Sequence, residues 1–222
     1  MTAVLVVAGH PDDEILGLGA TLARHVDAGD EVHAIVTSEG ASSRYPSEAA
    51  SELVEAAQRS AEIIGFSSIR FLGLPDQRLD NLPLIDVIQL LEPLLAELRP
   101  EVIYTHSTVD VNADHGVVAR AVWTACRPFA TPWLREMYAF ETPSSTEWLE
   151  PRSAAFHPQR FVDVEQFLQR KLDAMACYTS ELRDYPHPRS LQALRERAAY
   201  WGSHAGLLAA EPFEVLRSID RT

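Results

Sequence analysis

Along the chain up to Phe140, apolar residues follow two alternating rhythms. Residues 4–8 are continuously apolar, the pattern of a central parallel strand buried on both faces. Ile15, Leu18, Leu22 and Val26 then recur at helical spacing. Residues 31–37 predict a second strand, and residues 49–64 a second helix stopped by Gly65. A third strand follows at 69–72. Leu84, Val87, Ile88, Leu91, Leu95 and Leu98 then mark a third helix, ended by Pro100. Residues 102–105 predict a fourth strand, 114–126 a fourth helix and 136–140 a further strand of the same sheet. Beyond Phe140 the pattern loosens. Thr142-Pro143-Ser144-Ser145-Thr146 reads as a surface loop and 161–164 as a small edge strand. Residues 164–178 and 190–210 predict helices, with Pro186 and Pro188 breaking the chain between them.

Strands alternating with helices at this rhythm predict βαβ units with right-handed crossovers. The expected fold is α/β and Rossmann-like: a mostly parallel sheet flanked by helices in three layers. No repeat or shift in composition divides the chain, so residues 1–222 read as a single domain. The formal charge of −13 excludes nucleic acid or an anionic membrane as the main partner, since both demand a basic face. No stretch approaches the ~20 apolar residues of a membrane span. Two cysteines are too few for a disulfide framework at this length, which fits a reducing compartment. The brief apolar run before Asp12 lacks a basic leader and reads as a buried strand, so a cytoplasmic protein is expected.

In an open α/β sheet, ligands bind beyond the carboxyl ends of the strands. After the first strand comes Gly9-His10-Pro11-Asp12-Asp13-Glu14. After the fourth comes His106-Ser107-Thr108-Val109-Asp110-Val111-Asn112-Ala113-Asp114-His115. Carboxylates at a helix start have an ordinary explanation, because they complement the positive end of the helix dipole. His10 is not needed for that purpose. His10 and Asp13 on one loop, with His115 on the facing loop, make a His/Asp/His set around an open fourth position, the construction of a catalytic zinc site.

His10-Pro11-Asp12-Asp13-Glu14, together with Asn112-Ala113-Asp114-His115, resembles the PIG-L/LmbE-like zinc-dependent deacetylases, which act on N-acetylglucosamine compounds. Leu72-Gly73-Leu74-Pro75-Asp76 is similar to the family's third-strand loop. Lys171 with Tyr178-Thr179-Ser180-Glu181 is similar to its Lys…Tyr-x-Ser-Gln helix, and Gly202, Gly206, Ala210-Glu211 and Phe213 to its C-terminal signature. The resemblance implies zinc, or another divalent ion such as iron(II), on His10, Asp13 and His115, with Asp12 as general base. It also implies hydrolysis of an N-acyl amide on a small molecule or glycan. Homo-oligomers, trimers or hexamers, are expected by resemblance alone.

Three positions depart from the family pattern. Asn112 stands where many members carry a histidine, leaving Asn112 or His106 as the candidate donor to the oxyanion. Leu53 occupies the place of a substrate-binding arginine, and Glu181 that of a glutamine. Asp110 and Asp114 read as groups that orient ligand imidazoles or cap the helix. His25 and His33 read as surface or packing residues, and Tyr178 and Trp201 as core or interface aromatics. His157 and His187 are loop histidines with a claim on the pocket, and His204 is ambiguous. Gly17-Leu18-Gly19 does not make a dinucleotide site, because three carboxylates occupy the turn where a pyrophosphate would lie. The competing readings are another mononuclear metal-dependent hydrolase, such as an esterase or amidase on a non-sugar substrate, and a non-catalytic sugar-binding relative.

Overall fold

The computed structural model describes residues 1–38, 47–150 and 154–220, with side chains left aside at 47–50. Strands β1 (Ala3–Ala8), β2 (Glu31–Ser38), β3 (Ser68–Leu74), β4 (Val102–His106) and β5 (Glu136–Phe140) run parallel. Helices α1 (Asp13–Asp27), α2 (Ser47–Ile64), α3 (Leu84–Leu98) and α4 (Ala113–Ala125) connect them. The sheet, in the order β3-β2-β1-β4-β5-β7-β6, is completed by β6 (Arg160–Asp163) and β7 (Ala210–Ser218), each antiparallel to its neighbour. Helices α5 (Leu168–Met175) and α6 (Leu191–Ala205) lie between those two strands in sequence. The result is the mostly parallel, helix-flanked sheet expected from the alternating pattern.

β1 shows why the layers number three. Its residues from Val4 to Ala8 are fully buried. Val4 and Val6 pack with Ile15, Leu18 and Leu172 on one face, while Leu5 and Val7 pack with Val87, Leu91 and Val118 on the other. A side-chain period of two thus divides one strand between two cores. The strand order also reverses direction at β1, between β2 and β4. That topological switch opens a crevice at the carboxyl ends of β1 and β4.

The chain after Phe140 departs from expectation. The last predicted helix does not run to Ala210: it closes at Ala205, with Gly206 at φ 70° as its left-handed cap. Residues 210–218 instead form β7, which pairs with both β5 and β6. The helix predicted over 164–178 is confined to Leu168–Met175.

β7 supplies a carboxylate to a buried joint. Helix α1 breaks at Leu18, whose φ of −149° is not helical. Just past the break, Glu211 accepts the amides of Ala20 (3.2 Å) and Thr21 (2.6 Å). Lys171 Nζ caps the other side, donating to the Leu16 carbonyl at 2.8 Å and to Glu211 at 2.6 Å. Gly17 lies in this bend because a Cβ there would fall 2.4 Å from the Phe140 ring. The Lys171 and Glu211 of the sequence motifs therefore act as caps that hold α1 on the sheet.

Glu211→Gln keeps the shape but leaves the Lys171 ammonium beside a neutral partner. Breaking one side of a buried pair costs about 3–5 kcal/mol. Urea unfolding should show a loss of that order, and a change below about 0.5 kcal/mol would show that the joint contributes little.

Candidate active site and metal centre

Both candidate loops leave the sheet at the switch point, so β1 and β4 deliver their polar residues to one place. His10 Nδ1, Asp13 Oδ2 and His115 Nε2 form a triangle with edges of 3.1, 3.2 and 3.2 Å. Donors about 2.0–2.1 Å from a tetrahedral zinc ion stand about 3.3–3.4 Å apart, close to these edges. The outer nitrogens fix the tautomers. His10 Nε2 faces the carboxylates of Asp114 (3.1 Å) and Asp76 (3.3 Å). His115 Nδ1 lies 3.1 Å from Asp110 Oδ2, although off the line of an ideal hydrogen bond. With protons on those outer nitrogens, two imidazole lone pairs and a carboxylate oxygen converge inward. Such a set repels itself unless a cation sits among it, so the donors fit a divalent metal.

Protonation follows from the same crowding. Burial works against charge on His10, but its bonds to Asp114 and Asp13 push it up to about 10. His115 is likewise raised, to about 9, as Asp13 and Asp110 outweigh burial. Asp13 resists its own burial because the two imidazoles hold its carboxyl well below the usual range.

The supporting residues are themselves pinned. Asp110 accepts the Thr146 hydroxyl at 2.8 Å and the Asn112 amide at 2.8 Å, and it also holds the Ser145 hydroxyl. Asp114 accepts the amides of Gln77 (2.8 Å) and Leu79 (3.0 Å), which ties the third-strand loop to the site. Asn112 is the N-cap of α4, its side chain accepting the Asp114 amide at 3.0 Å. Gly9 allows the loops to close. A Cβ there would meet the His115 ring at 3.0 Å and Asp13 Oδ2 at 3.3 Å.

A pocket of about 610 Å³ opens on this cluster, lined by His10, Asp12, Asn112 and His115 among others. Asp13, Asp110 and Asp114 lie behind its wall. Asp12 is 1% exposed and adopts φ 110°, a left-handed backbone that a non-glycine residue holds at a cost of about 1–3 kcal/mol. Burial raises its carboxyl well above the ordinary range, against the pull of Arg189, whose Nη1 stands 3.2 Å from Oδ2.

His106 does not reach this pocket. It is 1% exposed, its Nε2 accepts the Gly9 amide at 2.8 Å, and its Nδ1 lies 3.0 Å from the Thr142 hydroxyl. Accepting from Gly9 requires an unprotonated Nε2, so Nδ1 carries the proton and donates to Thr142. Burial and the neighbouring His115 lower it to about 3, which keeps it neutral.

Several pocket residues carry no signal in the sequence. Arg189 arrives from the proline-rich loop before α6, half-buried, donating from Nε to Ser144 Oγ at 2.7 Å and from Nη1 to Glu181. Gln77, Trp148 and Ser144 also line the wall, and Ser144 has φ 72°. No periodicity marks these loops; only the turn residues hinted at surface structure. Of the two loop histidines, His187 lines the pocket, whereas His157 caps Glu214 through its backbone amide. Tyr178 is fully buried and donates to Glu14 at 2.6 Å; burial pushes that carboxyl up to about 7. His25 and His33 are packing residues, bonded to Asp30 and Tyr104 and to Ser68.

Residues 5–126 match the family model described as PIG-L, GlcNAc-PI de-N-acetylase. The chain belongs to the PIG-L family. It is 31% identical over 183 residues to the uncharacterized deacetylase YaiS of Escherichia coli (strain K12), covering 80% of this chain and 90% of that one. The fold is similar to the N,N'-diacetylchitobiose deacetylase of Pyrococcus horikoshii, with a TM-score of 0.77, 20% identity, and 96% of this chain and 83% of that one covered. It is as similar to GalB, the 4-carboxy-2-hydroxymuconate hydratase of Pseudomonas putida KT2440, with a TM-score of 0.79, 21% identity, and 100% and 99% covered. At those identities the two structures establish the PIG-L fold and leave the reaction to the site. Among the described residues, no helix is long and apolar enough to cross a membrane.

The raised imidazoles make a prediction that does not depend on activity. With values of about 10 and 9, His10 and His115 carry protons at pH 7.5 when no metal is bound, and a cation must displace them. Zinc binding followed by calorimetry in buffers of different ionisation enthalpy should therefore show release of at least about one proton per ion. Uptake without proton release would contradict the raised affinity of the two imidazoles for protons.

Proposed function

We propose that this protein is a metal-dependent N-deacylase that hydrolyses the N-acetyl, or another short N-acyl, amide of an amino sugar. Zinc is the proposed ion, held by His10, Asp13 and His115. The observation that carries this reading is the three-donor triangle with a buried, strained carboxylate, Asp12, next in the chain and facing the same pocket. A bound divalent ion supplies Lewis acidity toward water and the amide carbonyl.

The chain's own residues supply the rest. Asp12 takes the proton of the attacking water and returns it to the departing nitrogen; the C–N bond breaks, a C–O bond forms, and a carboxylic acid and a free amine leave. Its elevated affinity for a proton suits that exchange better than an ordinary surface aspartate would. Arg189 holds the Asp12 carboxylate in place, and its guanidinium together with the side-chain NH2 of Asn112 are the pocket donors assigned to the acyl oxygen. His106, with both nitrogens engaged inside the protein, is assigned to holding the Gly9 turn. Asp110 and Asp114 orient the ligand imidazoles. Trp148, 54% exposed and edge-on to His187, offers an apolar face to a sugar ring at the pocket wall. The family description and the chitobiose deacetylase likeness support an amino-sugar substrate.

Zinc-loaded protein should release amine from one or more N-acetylated sugars, and a chelator should abolish the release. Asp12→Asn should keep its zinc and lose about 10²–10⁴ in turnover, while Asp13→Ala and His115→Ala should lose the ion. Normal turnover in Asp12→Asn would sink the assigned role. Zinc-loaded protein that hydrates an activated alkene and leaves every N-acyl amide intact would move the site to hydratase chemistry.

A further inference from the structure

A second cavity of about 570 Å³ lies on the other side of the segment that walls the proposed active site. Ser144, Ser145 and Trp148 face the metal pocket, Glu147 and Leu149 of the same segment face this one, and Thr146, whose hydroxyl reaches Asp110, also lines it. Its volume falls within the range of about 300–1,000 Å³ typical of small-molecule sites. Three aromatic residues line it. Trp201 stands edge-on to Tyr200 (centroids 5.0 Å apart, 67°) and to Phe156 (6.2 Å, 75°).

An aromatic wall of this kind can carry an organic cation, as the walls of a cation cage do. The charge agrees. Among the described residues, four carboxylates, Glu141, Glu147, Glu150 and Glu196, line the cavity against one guanidinium, Arg197. That guanidinium is already committed. It grips Glu141 through Nε at 2.6 Å and Nη2 at 2.7 Å, and reaches Glu147 at 3.2 Å. Glu141 is 4% exposed and also receives the Trp201 indole. The Arg197–Glu141–Trp201 unit is therefore a neutral, fixed floor that sets the orientation of the Trp201 ring. Glu150 and Glu196 remain as the carboxylates not tied to a cationic side chain among the described residues.

We propose that this cavity is a binding site for an organic ammonium compound, its carbon skeleton lying on Trp201, Tyr200 and Phe156 and its ammonium facing Glu150 and Glu196. Anions are disfavoured by the surplus of carboxylates, and a neutral polyol leaves those carboxylates without a counter-charge. The site is separate from the metal cluster and does not depend on the deacylase reading.

The test uses the full chain and three sugars of similar size. Calorimetric titration should show saturable binding of glucosamine, with neither glucose nor N-acetylglucosamine saturating the same site. Asp13→Ala, which removes a proposed metal donor, should leave glucosamine binding intact. Tyr200→Ala and Glu196→Gln, both away from the metal pocket, should each weaken it about tenfold, the scale of one cage wall or one partly shielded charge. Deacylase turnover should be unchanged in both. Absence of saturation up to about 10 mM glucosamine, equal binding of all three sugars, or binding lost in Asp13→Ala and kept in Tyr200→Ala and Glu196→Gln would each overturn the proposal.

Discussion

Two imidazole lone pairs and a carboxylate oxygen, each 3.1–3.2 Å from the others, cannot rest together without a positive charge among them. Much of the carboxyl edge of the sheet serves to keep them converged. Asp114 and Asp110 sit behind the two histidines and turn their lone pairs inward, and each carboxylate is anchored in turn by backbone amides or hydroxyls. Behind those anchors lie the third-strand loop and the 142–148 segment. The site is therefore held by chain segments from β1, β3, β4 and β5, and by no single loop. Without a metal, protons take the cation's place, which is why His10 and His115 hold theirs so far above the ordinary range.

The loop after β1 carries the cost of this arrangement. Asp12 is driven into a left-handed backbone while its neighbour Asp13 turns inward, so two adjacent carboxylates face different surroundings, one the pocket and the other the two imidazoles. His106 stabilises the turn from below by accepting the Gly9 amide, and Tyr178 donates to Glu14 from the far side. Each contact joins residues far apart in sequence. The Lys171–Glu211 pair does the same for the broken α1, so that the helix carrying the site stays seated on the sheet.

What the sequence discloses depends on the physics of each element. β1 to β5 are short apolar runs alternating with amphipathic helices, and periodicity alone locates them. The fate of β7 was hidden because its start does not alternate: Ala210, Glu211, Pro212 and Phe213 are all buried, including a charge and a proline that ordinarily argue against a strand. Its partner β5 lies some seventy residues earlier. The cluster of His10, Asp13 and His115 was legible because strand topology alone brings the ends of β1 and β4 together. Arg189 was not, since it comes from an aperiodic loop whose path depends on tertiary contacts with Ser144 and Glu181. For the same reason His106, a plausible donor by position on β4, could not be distinguished by sequence from the buried turn-holder the structure contains.

X-ray absorption on zinc-reconstituted protein reads the donor triangle itself. One zinc per chain is expected, with a first shell of two imidazole nitrogens and oxygen donors, all at about 2.0–2.1 Å. Failure to take up zinc, or a shell lacking two imidazoles, would contradict it.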